Sequence, residues 1–290
     1  LGVIPMADVD IEDEDSLADR LNQREKGDGT DIVVVRLPHL SNFTDFDVLE
    51  RLEGVSVRYV ETPGEVGLPD VLIIPGTKNT MSDLKWMREN GLAAKIQELS
   101  AVDIPVVGIC GGFQMLGKRL SDPYGVENKG TMDGLGLLDA KTVFSREKVR
   151  HQAKGKMTAE VPGWEMLNGM ETEGYEIHMG VTRNLGDCRE IMYKQEEGRP
   201  VLGLGNKTGT VIGTYLHGFF DAPGMAERFV AQVEARKRAE TEPAGQIQPS
   251  HDWKAYKETQ YDKLAALVRE SLDMEQVYRI LNEGVGKDVQ

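Results

Sequence analysis

Val106-Val107-Gly108-Ile109-Cys110-Gly111-Gly112-Phe113-Gln114-Met115-Leu116-Gly117 decides how the whole chain is read. The apolar run from Ile104 to Ile109 predicts a buried parallel strand, Gly-x-Cys-x-Gly breaks it, and a helical pattern runs from Phe113 to Leu120. Strand, tight turn and helix push the central side chain out at the carboxyl end of a sheet, and flanking glycines give the turn its room. A cysteine placed there sits at a helix N-terminus, where the dipole favours a negative sulfur, and the Gly111 N–H points to where an oxyanion would form. A buried cysteine is more often a small core residue, but the glycines on both sides turn the reading of Cys110 towards a nucleophile.

Working outward, Ile32 to Val35 reads as a buried strand, followed by a loop with Pro38, Ser41 and Asn42. Thr44 or Asp45 is expected to cap a short helix with apolar positions at Phe46, Leu49 and Leu52. Val55–Val60 and Asp70–Ile74 are further strands, the latter ending at Pro75-Gly76-Thr77, and helical patterns cover about Met81–Asn90 and Leu92–Leu99. This alternation predicts an α/β fold, a doubly wound and mostly parallel sheet with flanking helices and with ligands at the carboxyl ends of its strands. Between Pro123 and Thr210 glycines accumulate and helical periodicity fades, which predicts added antiparallel strands and hairpins. Thr210–Leu216 is another strand, stopping at His217-Gly218, and a helix from about Met225 to Lys237 closes the domain.

The expected organisation is therefore a first segment over 1–29, a main domain over 30–237, and a linker with a helical C-terminal appendage over 238–290. Within the first segment Ser16–Leu21 suits one short helix. Tyr261, Leu264, Leu267, Val268, Leu272 and Val277 fall at helical spacing in the appendage.

The chain has 290 residues and a formal net charge of −14, with both signs mixed along its length. That balance argues against nucleic acid or an anionic membrane as the main partner. No stretch approaches the ~20 apolar residues of a membrane span, and no basic region precedes an apolar signal core, so the expected location is cytoplasmic. Its two cysteines, Cys110 and Cys188, lack Cys-x-x-Cys or zinc-type spacing. Neither a disulfide framework nor a metal site is expected, and Cys188, without a glycine elbow, is expected to be structural or incidental.

A cysteine nucleophile needs a base. Of His39, His151, His178, His217 and His251, only His217 directly follows a buried strand and precedes a glycine, which places it on the sheet edge that carries Cys110. Gly76 ends a strand on the same edge and can supply a second oxyanion donor from backbone. Gln114, one helical turn beyond Cys110, is placed to hold a small polar substrate.

Four blocks in order carry a resemblance: Ile-Ile-Pro-Gly-Thr-Lys-Asn-Thr from Ile73, Gly-Ile-Cys-Gly-Gly-Phe-Gln-Met-Leu-Gly from Gly108, Gly-Tyr-Glu-Ile-His-Met-Gly from Gly174, and Gly-Thr-Tyr-Leu-His-Gly-Phe-Phe-Asp from Gly213. They resemble the class I glutamine amidotransferase domain of the cobyric acid and cobyrinate diamide synthases. Leu-Pro-His-Leu-Ser-Asn-Phe-Thr-Asp-Phe-Asp from Leu37, with Glu14-Asp15-Ser16, is similar more narrowly to the cobyric acid synthases. The resemblance implies that Cys110 forms a glutamyl thioester with glutamine, that His217 moves the protons, and that the ammonia goes to ATP-activated carboxylates. In cobyric acid synthases these are four peripheral carboxylates of adenosylcobyrinic acid a,c-diamide.

Two departures from the pattern stand out. Family members with a full triad carry an acid two positions after the histidine, where this chain has Phe219. Asp221 and Glu176 are open as the third member, and so is a dyad with a backbone carbonyl orienting His217. Tyr175, Glu176 and His178 either shape the glutamine site or face the synthetase half. The second departure is the lack of a Gly-x-x-x-x-Gly-Lys-[Ser/Thr] phosphate loop. The resemblance then implies that ATP and Mg2+ act in an N-terminal synthetase domain that also binds most of the corrinoid acceptor, that residues 1–29 are its tail, and that no cofactor is held here. A stand-alone amidotransferase subunit serving another carboxylate, such as a cell-wall precursor, and a non-catalytic partner-binding domain of the same fold are the other readings.

Overall fold

A computed structural model describes residues 1–6, 26–196, 201–238 and 253–284. The short helix expected at Ser16–Leu21 and all but the first residue of the linker expected over 238–250 lie outside them. The chain divides into two compact units, one of Leu1–Asp13 with His251–Gln290 and one of Glu14–Ser250.

The larger unit is built on a sheet with eleven strands among the described residues. They are β1 (Thr30–Val35), β2 (Val55–Val60), β3 (Val71–Ile74), β4 (Val106–Ile109), β5 (Arg119–Asp122), β6 (Gly130–Asp133), β7 (Ala140–Met157), β8 (Glu171–Asn184), β9 (Arg189–Lys194), β10 (Val201–Gly205) and β11 (Val211–Thr214). Their order is β2-β1-β3-β4-β11-β10-β9-β7-β5-β6, with β8 on β7. Strands β2, β1, β3, β4 and β11 run parallel. Every residue of β1, β3, β4 and β11 is buried, as expected of strands covered on both faces.

Beyond β11 the sheet turns antiparallel through β10, β9, β7 and β8, as the glycine-rich middle of the chain predicts. The β5–β7 pair inside this region is parallel. Strand β7 is long and mostly one-sided, and its register with β8 shifts between Val143 and Lys148.

Helices α1 (Asp47–Glu50), α2 (Pro63–Val66), α3 (Thr80–Glu89), α4 (Leu92–Ala101), α5 (Gly111–Leu116) and α6 (Met225–Arg238) complete this unit. Asn79 caps α3 by accepting the Ser82 N–H at 3.0 Å. Two expectations are corrected. The helix after Cys110 ends at Leu116, not Leu120: Gly117 turns extended, and a Cβ there would lie 2.8 Å from the Ala140 carbonyl oxygen, so the chain passes against β7 and enters β5. The short helix after β1 is a 3-10 turn, Phe43–Phe46, running into α1, and neither Thr44 nor Asp45 caps it.

In the smaller unit, α7 (Trp253–Ser271) is followed by α8 (Met274–Glu283), with the Asp273 carboxylate accepting from Gln276 N at 3.0 Å as its cap. The Asp273 N–H donates to the Leu1 carbonyl at 2.7 Å, so the beginning of the first segment packs with the C-terminal helices. Lys26 and Gly27 belong to the larger unit, where Gly27 N donates to Ser56 Oγ at 2.8 Å. No helix among the described residues is long and apolar enough to cross a membrane.

Candidate active site

The parallel order places the ends of β1, β3, β4 and β11 side by side on one edge, and the polar groups converge there. Cys110 sits between β4 and α5 with φ +50° and ψ −105°, a conformation that costs a non-glycine residue about 1–3 kcal/mol and persists only where its surroundings impose it. They do so here by close approach. A Cβ on Gly112 would lie 2.0 Å from the Ile74 carbonyl oxygen, and one on Gly108 2.7 Å from the Phe113 amide nitrogen. The Cys110 N–H is fixed to the Thr214 carbonyl at 2.8 Å, and its sulfur faces the Ile177 carbonyl oxygen at 3.5 Å.

His217 is fully buried. Its Nδ1 lies 2.7 Å from Asp45 Oδ2, and Asp45 Oδ1 accepts the Gly218 N–H at 2.8 Å, so one carboxylate grips both ring and backbone. Nε2 has no hydrogen-bond partner among the described residues. Burial on its own lowers the His217 pKa, but the charge and hydrogen bond of Asp45, with Cys110 adding to them, raise it to about 10. The imidazole therefore holds a proton through neutral pH.

The carboxylate against His217 Nδ1 is that of Asp45, where the sequence left Asp221, Glu176 or a backbone carbonyl open. Asp221 belongs to the 3-10 turn Phe219–Asp221 that follows His217. Glu176 is buried elsewhere: its carboxylate meets His151 Nε2 at 2.8 Å, His178 Nε2 at 3.5 Å and the Lys194 ammonium. Burial pushes the Glu176 carboxyl up, yet His178 and Lys194 outweigh it and hold the group below its usual range.

The remaining expected residues separate into cleft and support. A cleft of about 350 Å³ is lined by Cys110, Gly111, Gln114, His178 and Thr77 among others. Gly76 stands behind this lining, where a Cβ would come within 2.9 Å of His217 Cε1. Gln114 reaches the cleft, but its amide is engaged with Thr80 Oγ1 at 3.0 Å, the Met179 carbonyl at 3.0 Å and Tyr215 OH at 3.3 Å. His178 stacks on Tyr215 at 3.8 Å. Tyr175 stacks on the His217 ring at 5.1 Å, bridges it through backbone, and receives a hydrogen bond from Asn42. Cys188 is buried near Asp139, and its thiol is pushed up by that burial.

Asp45→Asn is expected to lower the rate of a reaction that runs through His217 about a hundredfold, since carboxylates that orient a reacting imidazole are worth this much or more. The same change takes away the main upward pull on His217. Its pKa then falls from about 10, so the alkaline limb of the activity profile moves to lower pH. A pH series of kcat/KM checks both, and a limb that stays in place would mean that the Asp45 charge does not govern His217.

The CobB/CobQ-like glutamine amidotransferase domain family matches residues 31–225. The chain is 45% identical over 289 residues to a cobyric acid synthase of Ruminiclostridium cellulolyticum, with 98% of this chain and 55% of that protein covered. It is 44% identical over 294 residues to one of Lachnoclostridium phytofermentans, with 98% and 56% covered. The chain thus spans about half the length of the curated relatives it matches. Among solved structures, PurLQS from Thermotoga maritima matches with a TM-score of 0.55 at 16% identity, covering 72% of this chain and 99% of that one, which is a likeness of fold.

Proposed function

Because the chain belongs to the CobB/CobQ-like glutamine amidotransferase domain family, we propose that it is the glutamine-hydrolysing part of a cytoplasmic cobyric acid synthase. The observation that carries the reading is the strained Cys110 elbow on the same sheet edge as the His217–Asp45 pair. The Cys110 sulfur, its proton given up to His217, attacks the side-chain amide carbon of glutamine. The C–N bond then breaks as His217 gives its proton to the departing nitrogen, leaving a glutamyl thioester and ammonia. Water attacks the thioester, His217 accepts a proton from it, the C–S bond breaks, and glutamate leaves. The Gly111 N–H, with the backbone of the Gly76–Thr77 turn, stabilises the oxyanion in both halves. Asp45 and the stacked Tyr175 keep the imidazole in one orientation throughout.

The ammonia serves amidation of the peripheral carboxylates of adenosylcobyrinic acid a,c-diamide. ATP and Mg2+ for that step, and most contacts to the corrinoid, belong to another part of the longer protein.

The test is glutamate release from glutamine by this chain, alone and within the longer protein, together with labelling by a glutamine-analogue electrophile read by mass spectrometry. Release with the label on Cys110 is expected. Neither release nor label, with the complete protein and acceptor present, would overturn the reading in favour of a partner-binding domain.

A further inference from the structure

The cleft beside Cys110 also carries three charged side chains that hydrolysis does not use: Lys78, Lys148 and Glu127. Lys78 follows the Gly76–Thr77 turn, and Lys148 lies opposite Met179 in the β7–β8 ladder, just after the register shift. Both are exposed, and neither ammonium has an ion-pair or hydrogen-bond partner among the described residues.

Glu127 is built into place. The buried Asp122 carboxylate gathers the N–H groups of Val126, Glu127 and Lys129 at 2.8–2.9 Å, folding the loop back on itself. Glu127 Oε2 then accepts the Met81 N–H at 2.8 Å in the first turn of α3. Burial raises the Glu127 carboxyl above its ordinary range in spite of the Met81 and Thr80 donors. No cation among the described residues offsets that burial.

Two free cations and one anchored, uncompensated carboxylate around a small cleft complement a zwitterion. Glutamine has that head, joined by a short aliphatic arm to the amide that must reach Cys110. Resting on the glutamine-hydrolysing reading above, we propose that Lys78 and Lys148 bind the α-carboxylate and Glu127 the α-ammonium of glutamine. The pair of charges selects the free amino acid over glutamine within a peptide and over simple amides, because a substrate lacking either group leaves protein charges unpaired.

The test uses the complete protein with Glu127→Gln, which retains an oxygen to accept the Met81 N–H, and the double variant Lys78→Met/Lys148→Met, which retains the apolar stems. KM and kcat are measured for glutamine, for Nα-acetylglutamine and for 4-aminobutanamide, which lacks the carboxylate. A charge-assisted contact of ordinary strength predicts that KM for glutamine rises about tenfold or more in each variant while kcat stays within about threefold. Glu127→Gln should lose the preference for glutamine over the acetylated substrate. The lysine variant should keep that preference and lose the one over 4-aminobutanamide. Unchanged KM and discrimination in variants that still release glutamate would overturn this assignment and leave the proposed function standing. A parent protein without hydrolysis would overturn both. If Glu127→Gln lowers the melting temperature, the lysine variant, altered only at exposed side chains, decides on its own.

Discussion

Cys110→Ser is expected to lower glutamine hydrolysis on the order of 10⁴-fold or more, the scale of nucleophile removal in other hydrolytic sites, while ammonia-dependent amidation by the longer protein continues. Serine is close to cysteine in size, so it can keep the Thr214 backbone bond and the φ of +50° that the Gly108 and Gly112 contacts impose. What changes is the atom that attacks. A hydroxyl is a far weaker nucleophile than a thiol at neutral pH and depends on full proton removal by a base. The base beside it is His217, and a hydroxyl gives up its proton to an imidazole far less readily than a thiol does. Separate assays with glutamine and with ammonium salts distinguish the roles. Loss of both activities would make Cys110 a structural residue, and retention of glutamine hydrolysis would move the nucleophile elsewhere.

The elements that were legible are those whose signal is local. β1, β3, β4 and β11 are short apolar runs bounded by glycine, proline or polar residues, and a strand buried on both faces requires that pattern. The elbow was legible because its geometry needs small residues at fixed positions around one nucleophile. His217 followed from its place at a strand end.

Asp45 was not legible, and the reason is topological. It lies 172 residues before His217 in the chain, and the two meet only because β1, β3, β4 and β11 bring their ends together. Read locally, an aspartate before a short helical pattern looks like a cap, and an acid looks most useful near the histidine in sequence. The signal that existed was a pair of acids, Asp45 and Asp47, among aromatics in the loop that leaves the first buried strand at the active edge, where both prove buried. Strand alternation sends successive side chains to opposite faces, so Tyr175 meets His217 while Glu176 meets His151 and Lys194. The missing acid two positions after His217 was what left room for a non-catalytic domain, and a carboxylate reaches the ring instead from Asp45, in the 3-10 turn that follows β1.

His217→Asn is expected to lower glutamine turnover by about three orders of magnitude at neutral pH, the upper range for a positioned acid–base group with a covalent step on each side. The direction follows from where the proton sits. With its pKa raised to about 10, His217 is an acid across the neutral range, and its first task is to protonate the nitrogen that leaves. Asparagine carries no transferable proton at these pH values, so the C–N bond would have to break towards an unprotonated leaving group. The alkaline limb near pH 10 should vanish as well, since the group that titrates there is gone. Asp45 provides an internal check, because its carboxylate touches the ring and the Gly218 N–H and acts on the chemistry only through His217. The double variant Asp45→Asn/His217→Asn should therefore be no slower than His217→Asn alone, a non-additivity expected of residues that work as one unit. A double variant slower by the full hundredfold of Asp45→Asn would give Asp45 a contact of its own with the substrate. Near-normal turnover in His217→Asn would remove the histidine from the mechanism. Thermal unfolding should accompany both assays, because the variant leaves a buried carboxylate without its cation, a change that costs about 3–5 kcal/mol where a buried pair is broken. A low rate in a protein that remains folded and still takes the electrophile at Cys110 separates loss of proton transfer from loss of the fold.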